Sequence, residues 1–298
     1  MADKNILHML TPLKHMSPFD VNMALDAGYD AVAPYTSVGL EEIAGLVQDA
    51  IFSRPPKLGA RTGVFIGGKD AILALDMLEA AGKAQVPPFE VSLFADPAGS
   101  FTTAAAMVAC VEKVLTTKCD RGLKGLRIAV FGATGVVGFS SAVIAALEGA
   151  EVTLVGYDGL RRVIARAAEI RARFGVDVGA ADGSGEDQNS AIAKAAQAVF
   201  CAGKAGVRIL TGGQIAAAKD LLVATDVNAV PPSGIEGLDL FASGVEIGSS
   251  RVLGIGPLAI GNIKYKTESG LFRRMIAADR PVRFDFREAF ALARELNV

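Results

Sequence analysis

Three glycines stand at a predicted strand-to-helix turn near the middle of the chain, in the segment GATGVVG. Backbone N–H groups at such a turn, together with the positive end of the following helix, can hold a pyrophosphate, and glycine lets the phosphates approach the backbone closely. A strand, a helix and a return strand surround the turn within about 30 residues, as a dinucleotide site requires. We therefore predict that the whole turn binds a dinucleotide, namely Gly132, Ala133, Thr134, Gly135, Val136, Val137 and Gly138.

The end of the second predicted strand bears on the choice between NAD and NADP. A carboxylate there would accept hydrogen bonds from the ribose hydroxyls and repel a 2′-phosphate, but Gly156 occupies the position. Tyr157 and Asp158 follow it, and then Arg161 and Arg162. The two arginines either meet a 2′-phosphate through charge-assisted hydrogen bonds or are solvated at a helix start. We predict that the site uses both NAD and NADP.

Two later strand ends supply the remaining cofactor candidates. Ala202 and Gly203 end one predicted strand, and Asp226 and Asn228 follow the end of the next. Small residues at the carboxyl ends of strands leave room for ribose and nicotinamide. Asp226 and Asn228 either contact the ribose or carboxamide or cap their own turn.

Alternating strands and helices must position these residues. Strands are predicted at 126–133, 151–156, 198–203 and 220–226 and near Val176, with helices over 136–148 and 160–173 and after Asn189. This alternation predicts a parallel sheet with right-handed crossovers. The sequence therefore predicts a Rossmann dinucleotide-binding domain over residues 115–271.

The first 114 residues carry α/β signals of their own. Strands are predicted in NILHML, AVAPYT, TGVFIGG and FEVSLFAD, and a helix over 40–51. The segment 272–298 contains a terminal helix over 286–296 without a strand to cover, so we expect it to pack back on the N-terminal part. The predicted fold class is a two-domain α/β protein, in which 1–114 and 272–298 form the substrate domain.

Composition narrows the class of partner. Apolar residues make up 51% of the chain, the formal charge is −2, and no basic stripe is present, so a nucleic-acid groove is not expected. The three cysteines form no CxxC pair, which indicates buried free thiols in a reducing compartment. No secretion signal is evident, and the longest membrane-like stretch, 136–156, is interrupted by charged residues and glycine. We expect a cytoplasmic protein with a small-molecule substrate and no membrane contact.

Six segments carry a resemblance that is more specific than the glycines alone: SPFDVNMALDAGYD (17–30), GVFIGGKDA (63–71), GSFTTAAAMVA (99–109), the glycine turn, DVNAVPPSGI (226–235) and GIGPLAIGNIKYK (254–266). Over essentially its full length the chain resembles the NAD(P)-dependent methylene-tetrahydromethanopterin dehydrogenases of bacterial one-carbon metabolism. The resemblance implies that the methylene bridge of a pterin carrier is oxidised to a methenyl group during formaldehyde oxidation, with hydride passing to the nicotinamide. It also implies a site in the cleft between the domains and a homo-oligomer, a trimer or a multiple of one.

The resemblance places Phe19, Asp20, Thr102 and Lys264 on the pterin side, and Asp20 and Lys264 are the predicted catalytic residues. His15 and Ser100 complete the predicted substrate site. Each has a structural alternative. Asp20 caps a helix starting at Val21, Lys264 is a surface lysine after a strand, Thr102 caps the following helix, His15 is an exposed loop residue, and Phe19 belongs to the core.

The implied chemistry explains why no catalytic triad, metal-ligand spacing or obvious base is present. Loss of hydride from a carbon between two nitrogens leaves a cation that those nitrogens stabilise, so no substrate O–H must be deprotonated. The protein must instead position the reacting carbons. Asp20 would favour the cationic product or bind a pterin nitrogen, and Lys264 would polarise a carbonyl or hold one end of the ligand.

Two departures from the family pattern concern the cofactor. Tyr157 stands where strictly NADP-dependent relatives are expected to have an arginine, and Ala133 gives the phosphate loop a GxxGxxG spacing. Three alternatives stay open: a methylene-tetrahydrofolate dehydrogenase, a shikimate-type dehydrogenase, and a non-catalytic protein that senses NADP. A shikimate-type enzyme needs a Lys-Asp pair for proton transfer, and Lys69 and Asp70 do not form a convincing one because adjacent residues point apart in a helix. Asp70 is predicted instead to cap a helix.

Overall fold

The computed structural model describes residues 3–297 and divides them into two compact units. The first unit comprises the residues up to Thr102 together with Tyr265–Leu292, and the second comprises Thr103–Lys264 and the residues from Ala293 onward. The predicted domain boundaries at 114/115 and 271/272 differ from these divisions. All three divisions, after Thr102, Lys264 and Leu292, fall inside continuous helices, so no loop or glycine cluster marks them in the sequence.

The elements follow one another along the chain in an α/β alternation with three short 3₁₀ turns. In chain order they are β1 (Ile6–Leu10), α1 (Pro18–Ala27), β2 (Ala31–Tyr35), α2 (Ile43–Phe52), β3 (Thr62–Ile66), α3 (Ala71–Lys83), β4 (Ser92–Ala95), α4 (Ser100–Lys118), β5 (Arg127–Phe131), α5 (Val136–Leu147), β6 (Glu151–Gly156), α6 (Leu160–Phe174), β7 (Gly179–Asp182), α7 (Glu186–Ala195), β8 (Ala198–Cys201), α8 (Gly212–Ala217), β9 (Val223–Asp226), β10 (Ser243–Glu246), β11 (Leu253–Ile255), α9 (Pro257–Ala277), β12 (Arg283–Phe284) and α10 (Phe286–Leu296).

The first unit is built on a parallel sheet in the order β12-β4-β3-β1-β2. All residues of β3 and β4 are buried, which fits the continuous apolar runs of strands that are covered on both faces. The rings of Phe65, Phe94 and Phe272 lie 5.2 to 5.5 Å apart between centroids. Such aromatic pairs contribute about 0.5–1.5 kcal/mol each beyond their buried area, so a late segment of the chain stabilises this early sheet.

Two helix starts in the first unit follow from local sequence. Ser17 is the N-cap of α1, and its hydroxyl accepts a hydrogen bond from the backbone N–H of Asp20, with Pro18 at the first helical position. Asp70 is the N-cap of α3, and its carboxylate accepts from the backbone N–H of Leu73 at 2.9 Å. The prediction that Asp70 caps a helix is therefore confirmed. Asp20 does not cap α1, because Ser17 is its N-cap.

The second unit contains a seven-stranded sheet in the order β10-β11-β9-β8-β5-β6-β7. Every neighbouring pair is parallel except β10 and β11. The chain runs outward from β5 through β6 to β7 and then returns to place β8 on the other side of β5. This reversal creates a topological switch point, where ligands bind at the carboxyl ends of parallel strands in open α/β sheets. The predicted α/β fold and its β5-α5-β6 unit are confirmed.

The strand predicted near Val176 is wrong. Gly175 ends α6 in the left-handed conformation at φ 69°, and the chain joins the sheet only at β7, where Gly179 pairs with Thr153. The alternation of Val176, Asp177 and Val178 imitates a strand, whereas the true edge strand GAAD has small residues and little apolar character.

One segment within the described range is long and apolar enough to cross a membrane, and it differs from the stretch singled out in the sequence. It covers residues 97–118, and 72% of its most apolar window is buried inside the fold. Burial inside the protein accounts for the apolar character of α4.

Candidate active site

A pocket of about 730 Å³ lies in the second unit at the carboxyl ends of β5, β6, β7 and β8. Six residues that were predicted to bind the cofactor line it: Gly132, Thr134, Gly135, Tyr157, Ala202 and Gly203. The pocket thus coincides with the switch point of the sheet, where a dinucleotide is expected. The other predicted cofactor residues lie outside this lining, namely Ala133, Val136, Val137, Gly138, Gly156, Asp158, Arg161, Arg162, Asp226 and Asn228.

The three glycines of the turn differ in what requires them. Gly132 has φ +75°, and a Cβ there would lie 2.2 Å from the carbonyl oxygen of Ala202. A Cβ at Gly138 would lie 2.4 Å from the carbonyl oxygen of Gly132. Gly135, the N-cap of α5, is exposed, and a Cβ there would meet only that carbonyl oxygen, at 3.4 Å. Internal packing therefore explains Gly132 and Gly138, while Gly135 leaves a space that suits a phosphate.

The turn after β6 closes over Gly156. A Cβ at Gly156 would lie 2.1 Å from the carbonyl oxygen of Gly159, so no side chain fits at the position where NAD-specific sites carry a carboxylate. Tyr157 is the next residue, lines the pocket and is 68% exposed. The first side chains beyond this strand end are therefore those of Tyr157 and Asp158.

Arg162, in the first turn of α6, reaches back toward the glycine turn. Its Nη1 donates to the hydroxyl of Tyr157 at 3.1 Å and to Oδ2 of Asp158 at 3.3 Å, and its Nη2 donates to Oγ1 of Thr134 at 3.3 Å. The guanidinium carbon lies 5.6 Å from the centre of the Tyr157 ring. Hydrogen bonding to Asp158 and then to Tyr157 raises the pKa of Arg162. Arg161 and Arg162 are both exposed, and these contacts hold Arg162 beside the pocket.

The far wall of the pocket escaped prediction from the sequence. It consists of residues from the ends of β5, β6 and β7, from α7 and from the loop after β8: Phe131, Val155, Gly183, Ser184, Asn189, Lys204, Val207, Arg208 and Ile209. The pair Gly183-Ser184 follows a strand directly and could have been found had β7 been placed correctly. Lys204, Val207, Arg208 and Ile209 lie in the loop after β8. They are too far from the strand end to be predicted from its position.

Asp226 and Asn228 hold their own loop. The Asp226 carboxylate accepts from the backbone N–H of Asn228 at 2.9 Å and of Gly234 at 2.6 Å. The side-chain oxygen of Asn228 accepts from the N–H of Val230, and its amide donates to the carbonyl of Pro232. Burial raises the pKa of Asp226, and the backbone hydrogen bonds partly offset this effect. Of the two predicted alternatives, the structure shows turn capping.

Replacing Asp226 with Ala is expected to lower the free energy of unfolding by about 1–3 kcal/mol, because two backbone N–H groups lose a buried acceptor. Urea unfolding measures the change. Asp239→Ala is the matched control, since Asp239 accepts from the N–H of Phe241 in an exposed turn and should change stability by about 0.5 kcal/mol or less. Equal effects of the two substitutions would contradict the structural role of Asp226.

Three predicted pterin-side residues lie near the start of α1 in the first unit. Asp20 is 2% exposed in the first turn of the helix, while Phe19 is 46% exposed and does not belong to the core. His15 is exposed in the preceding loop and lines a pocket of about 360 Å³ together with Lys14 and Asn22. The buried carboxylate of Asp20 is thus next in sequence to the exposed ring of Phe19. The resemblance, and not this geometry, predicts both as substrate residues.

Thr102 has a structural role in this conformation. It is fully buried, and its hydroxyl donates to Oδ2 of Asp96 at 2.6 Å, while the backbone N–H of Phe101 donates to Oδ1 of Asp96 at 2.8 Å. Asp96 therefore holds the beginning of α4, which starts at Ser100 and not after Thr103. Ser100 is half-buried and remains nearer to solvent.

Lys264 does not follow a strand, as its structural alternative supposed. It lies in the interior of α9, half-buried, in a helix that begins at Pro257. The segment GIGPLAIGNIKYK thus contains the end of β11 followed by the start of α9. Pro257 is the first residue of the helix, a position that proline favours.

Burial alters the chemistry of two thiols and of one histidine. Burial raises the pKa of Cys110 to about 12 and places that of Cys201 well above its ordinary value, so both are poor nucleophiles at neutral pH. Burial also lowers the pKa of His8, whose Nδ1 lies 3.2 Å from the hydroxyl of Tyr35. Within residues 3–297 no group of three or more His, Cys, Asp or Glu side chains is arranged to hold a metal ion.

Comparisons with known proteins bear on both units. Residues 18–98 match the family described as "Methylene-tetrahydromethanopterin dehydrogenase, N-terminal". The NAD(P)-dependent methylenetetrahydromethanopterin dehydrogenase of Methylorubrum extorquens strain AM1 is 54% identical over 293 residues, which cover 98% of this chain and 99% of that protein. A second protein of the same organism, described as bifunctional protein MdtA, is 35% identical over 280 residues and 94% of each chain.

Among solved structures, quinate dehydrogenase from Corynebacterium glutamicum in complex with NAD superimposes with a TM-score of 0.55. The superposition covers 100% of both chains at 16% identity. At this level of identity the likeness shows the fold alone.

Proposed function

This chain belongs to the family of NAD(P)-dependent methylenetetrahydromethanopterin dehydrogenases, and from that premise we propose that it oxidises the methylene bridge of methylene-tetrahydromethanopterin to the methenyl form. The chain is an oxidoreductase that uses NAD or NADP. The reaction moves one hydride from the bridge carbon to the cofactor, and the positive charge left behind is shared by the two flanking pterin nitrogens. This step belongs to one-carbon metabolism, in the oxidation of formaldehyde.

One observation carries the cofactor part of the proposal: Gly135 leaves an open space at the N-terminus of α5, beside a pocket at the switch point of a parallel sheet. The free N–H groups of that helix end favour an anion. Gly132, Thr134 and Gly135 would hold the pyrophosphate, and Tyr157 and Gly203 would line the nucleoside parts. NAD(P), when bound, supplies the carbon that accepts the hydride.

The substrate part rests on the resemblance in the segments around Asp20 and Lys264. Asp20 is almost fully buried in the first turn of α1, and its proposed role is to bind a pterin nitrogen or to favour the cationic product. Lys264 would polarise a pterin carbonyl or fix one end of the ligand. His15, Phe19 and Ser100 keep their proposed contacts with the pterin, while Thr102 would act through the start of α4. No general base is required, since only a hydride leaves.

Absorbance of the reduced cofactor at 340 nm tests the proposal with four substrate pairs, combining NAD or NADP with methylene-tetrahydromethanopterin or methylene-tetrahydrofolate. We expect turnover of the methanopterin donor with both cofactors. Turnover of the folate donor alone would favour the folate alternative, and turnover of shikimate would favour the hydroxy-acid alternative. Cofactor binding without any of these reactions would favour the NADP-sensing alternative.

We further propose that the enzyme is a cytoplasmic homo-oligomer, a trimer or a multiple of one, with no nucleic-acid or membrane partner. The apolar content of 51% and the near-neutral charge support this reading. Light scattering coupled to size-exclusion chromatography measures the mass of the assembly against the 30.8 kDa chain. A mass equal to one chain at micromolar concentration would overturn the oligomer.

A further inference from the structure

The ion pair between Asp158 and Arg162 lies just after β6, the second strand of the dinucleotide unit. NAD and NADP are identical except at the adenosine 2′ position. In this fold, the residues that follow the second strand of the dinucleotide unit contact that position. Gly156 leaves no side chain there, and the next charged residues along the chain are Asp158, Arg161 and Arg162. Arg162 donates hydrogen bonds to Asp158 and to Thr134 of the glycine turn, so the pair of Asp158 and Arg162 is the candidate for distinguishing the two cofactors.

Arg162 contacts two segments: the residues after β6 and the glycine turn before α5. Nη1 is bound to Tyr157 and Asp158 after β6, and Nη2 is bound to Thr134 in the glycine turn at 3.3 Å. The guanidinium is thus held between the strand end and the turn that would bind the pyrophosphate. A planar guanidinium with five donors matches a phosphate group in geometry and charge.

The ion pair of Asp158 and Arg162 is exposed enough for Arg162 to exchange Asp158 for another anion. The side chains of Arg162 and Asp158 are 44% and 40% exposed, and the distance between Nη1 and Oδ2 is 3.3 Å. Exposed pairs of this kind contribute little to stability. A phosphate monoester carries a charge of about −1.5 to −2 at neutral pH and binds arginine more strongly than one carboxylate does.

We propose that Arg162 is shared between Asp158 and the 2′-phosphate of NADP, so that Asp158 sets the ratio of NADP to NAD affinity. This inference rests on the proposed function and names the residues that make dual cofactor use achievable. With NAD bound, the ion pair would persist and the Asp158 carboxylate could accept a hydrogen bond from the neutral 2′-hydroxyl. With NADP bound, Arg162 would exchange Asp158 for the phosphate, while the Tyr157 ring would continue to support the guanidinium.

Each partner has a separate consequence. Asp158 competes for Arg162 and repels the phosphate, so its charge lowers NADP affinity. Arg162 supplies the attraction, so its charge raises NADP affinity and matters little for NAD. If the network only stiffened the loop after β6, loss of either residue would weaken both cofactors alike.

Isothermal titration calorimetry of the full chain with NAD⁺ and with NADP⁺ tests the proposal without turnover. Asp158→Asn is expected to raise the ratio of NADP to NAD affinity by about three- to tenfold, and Arg162→Gln to lower it by about tenfold with NAD affinity changed by about twofold or less. The control is Asp177→Asn, which makes the same charge change in the exposed pair of Asp177 with Arg171 at the other end of α6. It should leave the ratio unchanged.

Two further variants test whether the effect on the affinity ratio is specific to the charge of Arg162. Tyr157→Phe removes one hydrogen bond to Arg162 but retains the ring, so the ratio should change less than in Arg162→Gln. Arg171→Gln removes a positive charge at the other end of α6 and should leave the ratio unchanged. If Arg162→Gln lowered the ratio no more than Arg171→Gln did, or if Asp158→Asn weakened both cofactors equally, the proposal would be overturned. Failure of the unmodified chain to bind either cofactor would instead overturn the proposed function itself.

Discussion

Replacing Gly135 with Ala is expected to weaken binding of both NAD and NADP by about tenfold to a hundredfold, which corresponds to the loss of one or two charge-assisted hydrogen bonds to the pyrophosphate. The added methyl group would meet only the carbonyl oxygen of Gly132 at 3.4 Å, so the protein itself accommodates it. The change at the N-cap of α5 should cost about 1 kcal/mol of stability or less. Calorimetric titration and urea unfolding measure the two effects separately.

The control for this prediction is Gly45→Ala in α2. A Cβ at Gly45 meets nothing within 4 Å, so alanine should stabilise the helix by about 0.5–1 kcal/mol and leave cofactor binding unchanged. Unaltered affinity in Gly135→Ala would remove the glycine turn as the pyrophosphate site. A large loss of stability would show that packing, and not the cofactor, requires glycine there.

Replacing Lys264 with Met is expected to lower kcat/KM for methylene-tetrahydromethanopterin by about tenfold to a hundredfold, because methionine keeps the length of the stem but loses the charged donor. Lys264 does not line the cofactor pocket, so the Kd values for NAD and NADP should change by about twofold or less. Stopped-flow or steady-state rates together with calorimetric titration separate substrate effects from cofactor effects.

Lys266→Met provides the matched control for Lys264→Met. Lys266 belongs to the same helix and is exposed, and residues two apart on a helix point to different sides. Its loss should leave kcat/KM unchanged. Full activity of Lys264→Met, or an equal loss in both variants, would contradict the proposed role of Lys264 and leave Asp20 as the remaining candidate.

The sequence predicts the β5-α5-β6 unit well because local rules act there. Gly132 and Gly138 stand at a strand-to-helix turn whose spacing and apolar flanks are set by neighbouring residues, and β5, α5 and β6 appear where the pattern places them. The capping role of Asp70 and the bounds of α10 follow from equally local signals. Such features depend on a few adjacent residues, so no tertiary contact overrides them.

What escaped prediction depends on distant residues. Lys204 and Arg208 join the pocket only because β8 returns beside β5, and this neighbour relation cannot be seen in their own segment. Thr102 was predicted to contact the ligand, yet the buried carboxylate of Asp96 binds its hydroxyl. The edge strand β7 consists of small residues and forms through pairing with β6, not through its own propensity.

The interleaving of the first unit has a consequence for the order in which a ribosome can complete the protein. Phe272 packs against Phe65 and Phe94, and β12 extends the sheet beside β4. Most of the second unit, Thr103–Lys264, emerges between these segments. At about 5–20 residues per second, the early strands wait several seconds or more of translation before Phe272 and then Phe284 can pack against them.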